Sequence, residues 1–442
     1  MMPPPMKVGL AGLGTVGIAV LRLITRQREA LIARCGRPIE VVAVSARSRE
    51  KDRGIDLTPF RWVDDPVVLA ADPAIDVLVE LIGGEGDPAK ATVEAALAAG
   101  KSVITANKAL LARHGVELAE RAERAGVALN FEAAVAGGIP IVKTLREGLV
   151  GNAFGRIYGI LNGTCNYILT RMEQEGLSFA DCLRDAQRLG YAEADPSFDI
   201  DGHDTAQKLA ILASLAFGVA ADQDAIYVEG ISSITPEDLK AADDLGYRVK
   251  LLGVAVRTDD GIEQRVHPTM VPKTSAIAQV MGVTNAVSID ADAVHELTLL
   301  GPGAGGMATA SAVMSDIGDV ARGMRTPPFG CPATQLSRSE KLPMQRHEGG
   351  YYIRLMAVDR PGSAAKIAQH LADENISIES IVQRRPNSGP HGGDDPASAA
   401  SPVPVILITY ATTEDAVRRA LAAVEADGVV AGTPQLIRIE KT

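Results

Sequence analysis

The chain has 442 residues, of which 46% are hydrophobic and 22% charged, and 43 are glycine; at roughly 150 residues per domain that is two or three domains of a globular α/β protein with a sizeable core. Lys and Arg number 44 against 55 Asp and Glu, and the resulting net charge of −11 excludes a general nucleic-acid or membrane-surface role, which wants a basic face. Cys35, Cys165, Cys182 and Cys331 lie far apart without CxxC or Cys/His spacing, which excludes a disulfide framework and a zinc site and fits a reducing, cytoplasmic setting.

The opening MMPPPMKVGL lacks the apolar stretch of a secretory signal, and the longest apolar run, around 209–221, is too short to span a bilayer. Up to about residue 145 the runs KVGLAG, IEVVAVSA, DVLVELIG and KSVITAN alternate with Ala/Leu/Glu/Arg-rich helical stretches. This βαβ pattern predicts a Rossmann-type, doubly wound nucleotide domain over 1–145. VGLAGLGTVGIAVLRLI supplies Gly12, Gly14 and Gly17 as GxGxxG between a strand and a helix that opens on Thr15 and Val16. Glycines there permit a tight turn and let a pyrophosphate approach backbone N–H groups at the positive end of the helix dipole.

At the end of the next strand an NAD-preferring site usually offers Asp or Glu to the ribose hydroxyls. Here Ser45 is followed by Arg47, Arg49 and Lys51. A guanidinium suits a 2′-phosphate, so Arg47 favours NADP, with NAD the alternative, while Arg49 and Lys51 read equally well as solvated loop cations. KSVITANKALL then sets Thr105, Ala106, Asn107 and Lys108 just beyond a strand, on the carboxyl edge where open α/β sheets bind ligands. Lys108 either faces cofactor and substrate or starts the following helix in water.

Residues 146–324 mix helical pieces such as TAQKLAILASLAFG with the strand-like VKLLGVAVR, EQRVHPTMV and NAVSID, predicting an α+β domain with a mixed sheet whose last helix returns to the nucleotide domain. In DIDGHDTAQKLAILASLAFG, residues 199–218, Asp204 and Lys208 are four apart on one helical face. Alone that spacing describes an exposed ion pair. The continuation is apolar all round, which places the helix in the interior and Lys208 at its entrance. A lysine near apolar surroundings can exchange a proton with a substrate oxygen, as alcohol oxidation requires. Asp199 and Asp201 either support that site or merely charge a helix start.

Residues 325–348, RTPPFGCPATQLSRSEKLPMQRHE, read as a linker from their prolines and polar residues. The unit 349–442 then runs strand, helix, strand, strand, helix, strand, a βαββαβ order. RPNSGPHGGDDPASAASP, between its second and third strands, reads as a flexible hairpin tip.

TANKALL, FEAAVAGGIP, LNGTCNYIL, LGYAEADPSFDIDGHDTAQKLAIL and LGPGAGGMATASAV, in this order behind the glycine loop, make the whole chain resemble the monofunctional bacterial homoserine dehydrogenases with a C-terminal ACT domain. No upstream aspartate-kinase domain is expected, since the chain opens on the glycine loop. The resemblance implies NAD(P)-dependent interconversion of L-homoserine and L-aspartate 4-semialdehyde in threonine, methionine and isoleucine biosynthesis, by a homodimer or homotetramer. By the same resemblance Lys208 donates and accepts the proton, Glu193 and Asp204 bind the polar groups of homoserine, and Lys108 sits between nicotinamide and substrate. Gly190, Glu193 and Gly303 come against the nicotinamide end. FEAAVAGGIP resembles the family's monovalent-cation site, implying sodium on Glu132 and the carbonyls of Val135, Gly137 and Ile139, hard oxygen donors suited to such an ion; a plain hinge between domains is the alternative. Cys165 stands where the family commonly has a hydroxyl, which admits a rival thiohemiacetal chemistry, although no histidine lies nearby in sequence to activate it. The C-terminal unit, with Pro361 and Gly362 at the turn before its first helix, resembles an ACT domain, either binding an effector such as threonine or serving only dimerisation.

Overall fold

The structure, a computed structural model, describes residues 3–383 and 402–440, apart from 339, 343, 345, 346 and 359. Six strands, β1 Met6–Ala11, β2 Ile39–Ser45, β3 Arg61–Trp62, β4 Val77–Glu80, β5 Ser102–Thr105 and β6 Leu129–Asn130, form an all-parallel sheet in the order β3-β2-β1-β4-β5-β6. The four apolar runs became β1, β2, β4 and β5; the two-residue β3 and β6 have no run long enough to announce them. Successive residues of a strand point to opposite faces. Val8, Leu10, Val44, Val79 and Ile104 accordingly pack under the helices Thr15–Arg26 and Gly306–Ala321, while Ala11, Ala43, Leu78 and Val103 face Ala89–Ala98 and Lys108–Ala125. The helix Gly306–Ala321, distant in sequence, fits here because Gly306 lies on Thr15, where a Cβ would stand 2.8 Å from Thr15 Cγ2. The strand order reverses at β1 and β4, so the carboxyl edge between them is the place for a ligand.

The second sheet has eleven strands among the described residues. Its first part comprises β7 Phe154–Ile160, β8 Tyr227–Val228, β9 Tyr247–Thr258, β10 Gly261–Pro272, β11 Thr284–Ala291 and β12 His295–Pro302. The strand-like VKLLGVAVR, EQRVHPTMV and NAVSID are β9, β10 and β11. The helix His203–Phe217 lies across this sheet, with Gly253 of β9 beneath Thr205 and Leu209.

The C-terminal unit contributes β13 Glu348–Ala357, β14 Ile378–Gln383, β15 Val403–Thr409, β16 Thr412–Thr413 and β17 Gln435–Ile439, with helices Ser363–Asp373 and Glu414–Ala426. The expected βαββαβ order is present with one short strand added, and residues 385–401 of the expected hairpin tip lie outside the described residues. The C-terminal unit joins the second sheet. β17 pairs in parallel with β10, Thr269 opposite Arg438 and Met270 opposite Ile439, so one sheet runs through both parts in the order β12-β11-β7-β9-β10-β17-β13-β15-β14. The described part of 325–348 is anchored too: Phe329 is buried, its ring 5.2 Å from Phe131 and against Gly115, and Ser337 bridges to Val219. One aromatic among prolines carries little periodicity, which is why the packing of this stretch is invisible in its composition.

Candidate active site

At the carboxyl edge of β1 the chain turns so tightly that Gly12, at φ +107°, would place a Cβ 2.3 Å from the Leu81 carbonyl oxygen, and Gly17 would place one 2.1 Å from that of Gly12. Gly14 opens the helix Thr15–Arg26, offers no side-chain cap and faces open space, leaving the N–H groups of Thr15, Val16 and Gly17 for an outside acceptor. The cleft beside this turn, about 810 Å3, is lined by Gly12, Gly14, Ser45, Arg47, Lys51, Arg53 and Leu81 to Gly83. Arg47 is exposed there and Arg49 is not on the lining. Lys51 is, and so is Arg53, which sequence reasoning missed. Arg53 Nε donates to the Leu13 carbonyl at 3.2 Å and the guanidinium lies 5.6 Å from the Trp62 ring, tying the loop after β2 to the glycine turn. Asp64 and Asp87 also reach the cleft, but accept from Trp62 Nε1 at 2.7 Å and the Ala91 N–H at 3.0 Å.

The ends of β4 and β5 are held by Glu80, a buried carboxylate that accepts the Ile82 N–H at 2.6 Å and the Thr105 hydroxyl at 2.6 Å. Thr105 is wholly buried with its hydroxyl committed to Glu80, and it is not on the lining of the cleft. Asn107 caps the helix Lys108–Ala125 by accepting the Leu110 N–H, and its Nδ2 donates to the Gly84 carbonyl at 2.7 Å. Lys108 opens that helix; it is not on the lining of the cleft, and its Nζ lies 3.3 Å from Asp204 Oδ1.

Asp204 sits in the first turn of His203–Phe217, just after Gly202, whose φ of +92° lets the chain pass close over Val266 and Val228. Lys208 Nζ donates to Asp204 Oδ2 at 2.7 Å and to the Leu161 carbonyl at 2.7 Å. The side chains of Lys208 and Asp204 are only 12% and 8% exposed, which rules out the surface ion pair. Burial alone would raise the Asp204 carboxyl, but the ammonium groups of Lys208 and Lys108, with the hydrogen bonds from Lys208 and Asn162, hold it down to about 2. An ammonium has three donors, so Lys208 keeps one beyond Asp204 and Leu161. Asp199 joins the cluster through Asn162, and burial, then the charge of Asp204, pushes its carboxyl up. Asp201 is exposed beside it.

Gly190, at φ +77°, and Glu193 lie exposed on the loop after the helix Phe179–Arg188. The Glu193 carbonyl accepts from Gln187 Nε2 at 3.0 Å, and its carboxylate is not drawn into the Lys208 cluster among the described residues. That loop is fastened to the cluster by Thr164, whose hydroxyl donates to the Tyr191 carbonyl at 2.6 Å. Gly303 has no room for a side chain: a Cβ would stand 2.0 Å from Asn285 Cγ. Its carbonyl approaches Gly137, bringing the loop before Gly306–Ala321 onto the FEAAVAGGIP segment. In that segment Glu132 is buried, its oxygens accepting the Val142 and Lys143 N–H groups at 3.0 and 2.8 Å, and burial pushes its carboxyl up. Ala136 and Gly137 both have positive φ, and the Ile139 carbonyl accepts the Ile141 N–H at 2.8 Å. Among the described residues no group of three His, Cys, Asp or Glu side chains gathers as for a metal. Cys165 is fully buried with Sγ 3.2 Å from the Asp199 carbonyl, and burial, then the charges of Asp199 and Asp204, pushes its thiol well up. Such a thiol is a poor nucleophile.

Family models described as "Homoserine dehydrogenase, NAD binding domain", "Homoserine dehydrogenase" and "ACT domain" match residues 12–132, 140–317 and 351–425. The homoserine dehydrogenases of Neisseria gonorrhoeae and Pseudomonas aeruginosa are 44% and 45% identical to the chain, each alignment covering 99% of both partners. The crystal structure of a homoserine dehydrogenase from Thiobacillus denitrificans superposes with a TM-score of 0.92 at 44% identity over 100% of both chains. A hyperthermophilic archaeal homoserine dehydrogenase in complex with NADPH, 27% identical, has a TM-score of 0.61 and covers 72% of this chain and 98% of its own.

Proposed function

The chain belongs to the homoserine dehydrogenase family, and from that membership we infer how its own residues carry out the NAD(P)-dependent interconversion of L-homoserine and L-aspartate 4-semialdehyde. It is an oxidoreductase acting on a CH–OH group. A bound nicotinamide supplies the hydride acceptor and donor. Lys208 exchanges the hydroxyl proton of the substrate through the donor left over from Asp204 and Leu161. Asp204 fixes that ammonium and orients the alcohol, and Lys108, on the other Asp204 oxygen, stands between the nucleotide cleft and the substrate. Glu193 meets the polar groups of homoserine from the 189–196 loop, with Gly190 and Gly303 at the nicotinamide end. The observation that carries this reading is the pair of lysines, Lys208 and Lys108, held on the buried Asp204, in a chain whose uncapped glycine turn suits a nucleotide.

NADP is the proposed nucleotide, with NAD the alternative; support comes from Arg47, Lys51 and Arg53 beyond a strand that ends in Ser45 rather than a carboxylate. Gly12, Gly14, Thr15, Val16 and Gly17 would hold the pyrophosphate, and Thr105 and Lys108 the cleft edge. Sodium is proposed on Glu132 with the carbonyls of Val135, Gly137 and Ile139. The donors are hard oxygens, and those of Val135 and Gly137 accept no hydrogen bond among the described residues. An end-product amino acid such as threonine is the proposed effector of the ACT unit, at the turn of Pro361 and Gly362, where Gly362 has φ +94°. The protein is proposed to work in the cytoplasm as a homodimer or homotetramer; no described helix is long and apolar enough to cross a membrane. Homoserine oxidation, followed through the nicotinamide absorbance with NADP and with NAD, tests the reading. No turnover with either nucleotide would overturn it.

A further inference from the structure

Asn162, outside the machinery just described, is buried at the junction of the three segments that build the active centre. It caps the helix Gly163–Glu175, its Oδ1 accepting the Cys165 N–H at 2.8 Å. Because the acceptor oxygen is spent on that N–H, the amide nitrogen has to face the other way. It meets two carboxylates there, Asp199 Oδ1 at 2.8 Å and Asp204 Oδ2 at 2.8 Å. Asp204 Oδ2 thus accepts from both Asn162 and Lys208, which turns Oδ1 toward Lys108.

We propose that Asn162 is a positioning residue: its amide divides Asp199 from Asp204 and fixes which Asp204 oxygen faces each lysine. Without the two donors, Asp204 can rotate about its side-chain axis, and two neighbouring carboxylates in a buried site share a proton rather than both ionising. A proton held between them removes the negative charge that fixes the Lys208 ammonium, just when the substrate hydroxyl must be oriented. The charged and titratable groups facing the pair are Lys208 on its own helix, Lys108 across the cleft, Asp201 in the connecting turn and Cys165 on the capped helix. The idea rests on the reading of Lys208 and Asp204 given above.

Asn162→Ser keeps a cap oxygen and removes both amide donors; Asn162→Asp keeps the size and the cap acceptor but sets a third carboxyl, with at most one O–H to donate, against the other two. In each, kcat for homoserine should fall about 10²-fold, the cost of misplacing a reacting group by an ångström or so, while affinity for the nucleotide stays as in the parent. The acid limb of kcat/KM should move to higher pH, because the carboxylate pair now takes up a proton more readily. Should Asn162→Ser fail to fold, Asn162→Asp gives the same readout. Variants that lose only thermal stability, with kcat and pH profile unchanged, would make Asn162 a helix cap and nothing more, and the proposal would fall. Lys208→Met separates the two ideas: a collapse of activity there with unchanged Asn162 variants removes only the role of Asn162, whereas an active Lys208→Met removes the reading beneath it.

Discussion

Two of the charge clusters in this molecule are built from different cations. At the seam between β10 and β17, Arg438 is 1% exposed, and its fork is filled: Nε and Nη2 donate to the two Glu414 oxygens at 2.7 Å each and Nη1 donates to Glu229 at 2.8 Å. Arg265 beside it pairs with Glu263 and Glu440. At the active centre the cations are Lys208 and Lys108 around Asp204, with donors left over. A guanidinium does not deprotonate in a protein and binds carboxylates in a fixed planar geometry, whereas an ammonium is a point charge that can give up a proton. The first stands where the sheet is joined, and the second where we propose that a proton moves. A buried ion pair is structural when its valences are closed and chemical when one is left open.

The largest effect that would break this contrast is at Lys208. Lys208→Met keeps the apolar stem and should fold and bind NADP normally, while kcat drops by about 10²- to 10⁴-fold, the usual contribution of a positioned acid or base. Lys208→Arg sharpens the point: it keeps the charge and the pairing with Asp204 but not a proton that can leave, so it should be nearly as inactive as Lys208→Met. Activity within a few-fold of the parent in Lys208→Arg would mean that charge alone suffices, and the two clusters would not differ in kind.

Arg438→Met should do the converse, costing stability and not chemistry. Removing one partner of a buried pair typically destabilises by about 3–5 kcal/mol, because the carboxylate left behind is uncompensated. Urea unfolding measures it, with kcat of the folded fraction expected near the parent value. The sign with pH follows from Glu414. Burial works to raise its carboxyl, but Arg438 and Arg418 hold it below its ordinary 4.5, so its pairing stabilises the fold above that value and the gain is lost as pH falls through the depressed one. In Arg438→Met the deficit should therefore be largest at neutral pH and shrink on acidification. A deficit that grows toward low pH would place the stabilisation elsewhere. The seam also bears on truncation: removing the residues after about 335 strips β17 from β10 and leaves Arg265, Tyr227 and Asp238 without Glu440, Arg438, Tyr352 and Arg354.

The Asp204–Lys208 pairing and the glycine turn were legible because their parts are local. Asp204 and Lys208 share one helical turn, and the apolar residues after them say that this turn is buried. Gly12, Gly14 and Gly17 likewise sit within six consecutive positions that bracket one turn. What was not legible is whatever depends on segments meeting from afar. Asn162 bonds Asp204 from 42 positions away, Glu80 bonds Thr105 from 25, and neither shows its role in its own neighbourhood. Arg438 looks like any alternating strand residue until β17 is seen against β10. Glu193, named from resemblance, lies exposed on its loop: pairing with a substrate is not encoded in contacts the chain makes with itself.

Arg47 tests a third arrangement, a cation left in the open for an anion that the chain does not supply. Arg47→Ala should lower kcat/KM for NADP about tenfold, about 1.4 kcal/mol and so near the lower end of the roughly 1.5–3 kcal/mol of a hydrogen bond to a charged group, because Lys51 and Arg53 remain on the same cleft. Activity with NAD should hardly change. Equal losses for both nucleotides would show that the arginine supports the loop rather than reading a 2′-phosphate.

The smallest effect is expected where the active centre holds a titratable group that is both buried and closed. Cys165 is enclosed, its Sγ placed on the Asp199 carbonyl, and burial with the two nearby aspartates disfavours the thiolate. A thiolate is needed both for attack on an aldehyde and for reaction with alkylating reagents. Cys165→Ser replaces a small buried group by one of similar shape that can make the same hydrogen bond, so it should cost at most about 1 kcal/mol of stability and leave kcat within a few-fold. Iodoacetamide should modify Cys331, half-buried where the other three cysteines are buried, without loss of activity. If the reagent instead inactivates the parent, substrate protects, and Cys165→Ser is both dead and unreactive, then the centre works through a thiohemiacetal, and Lys208 and Asp204 would serve the thiol rather than the alcohol.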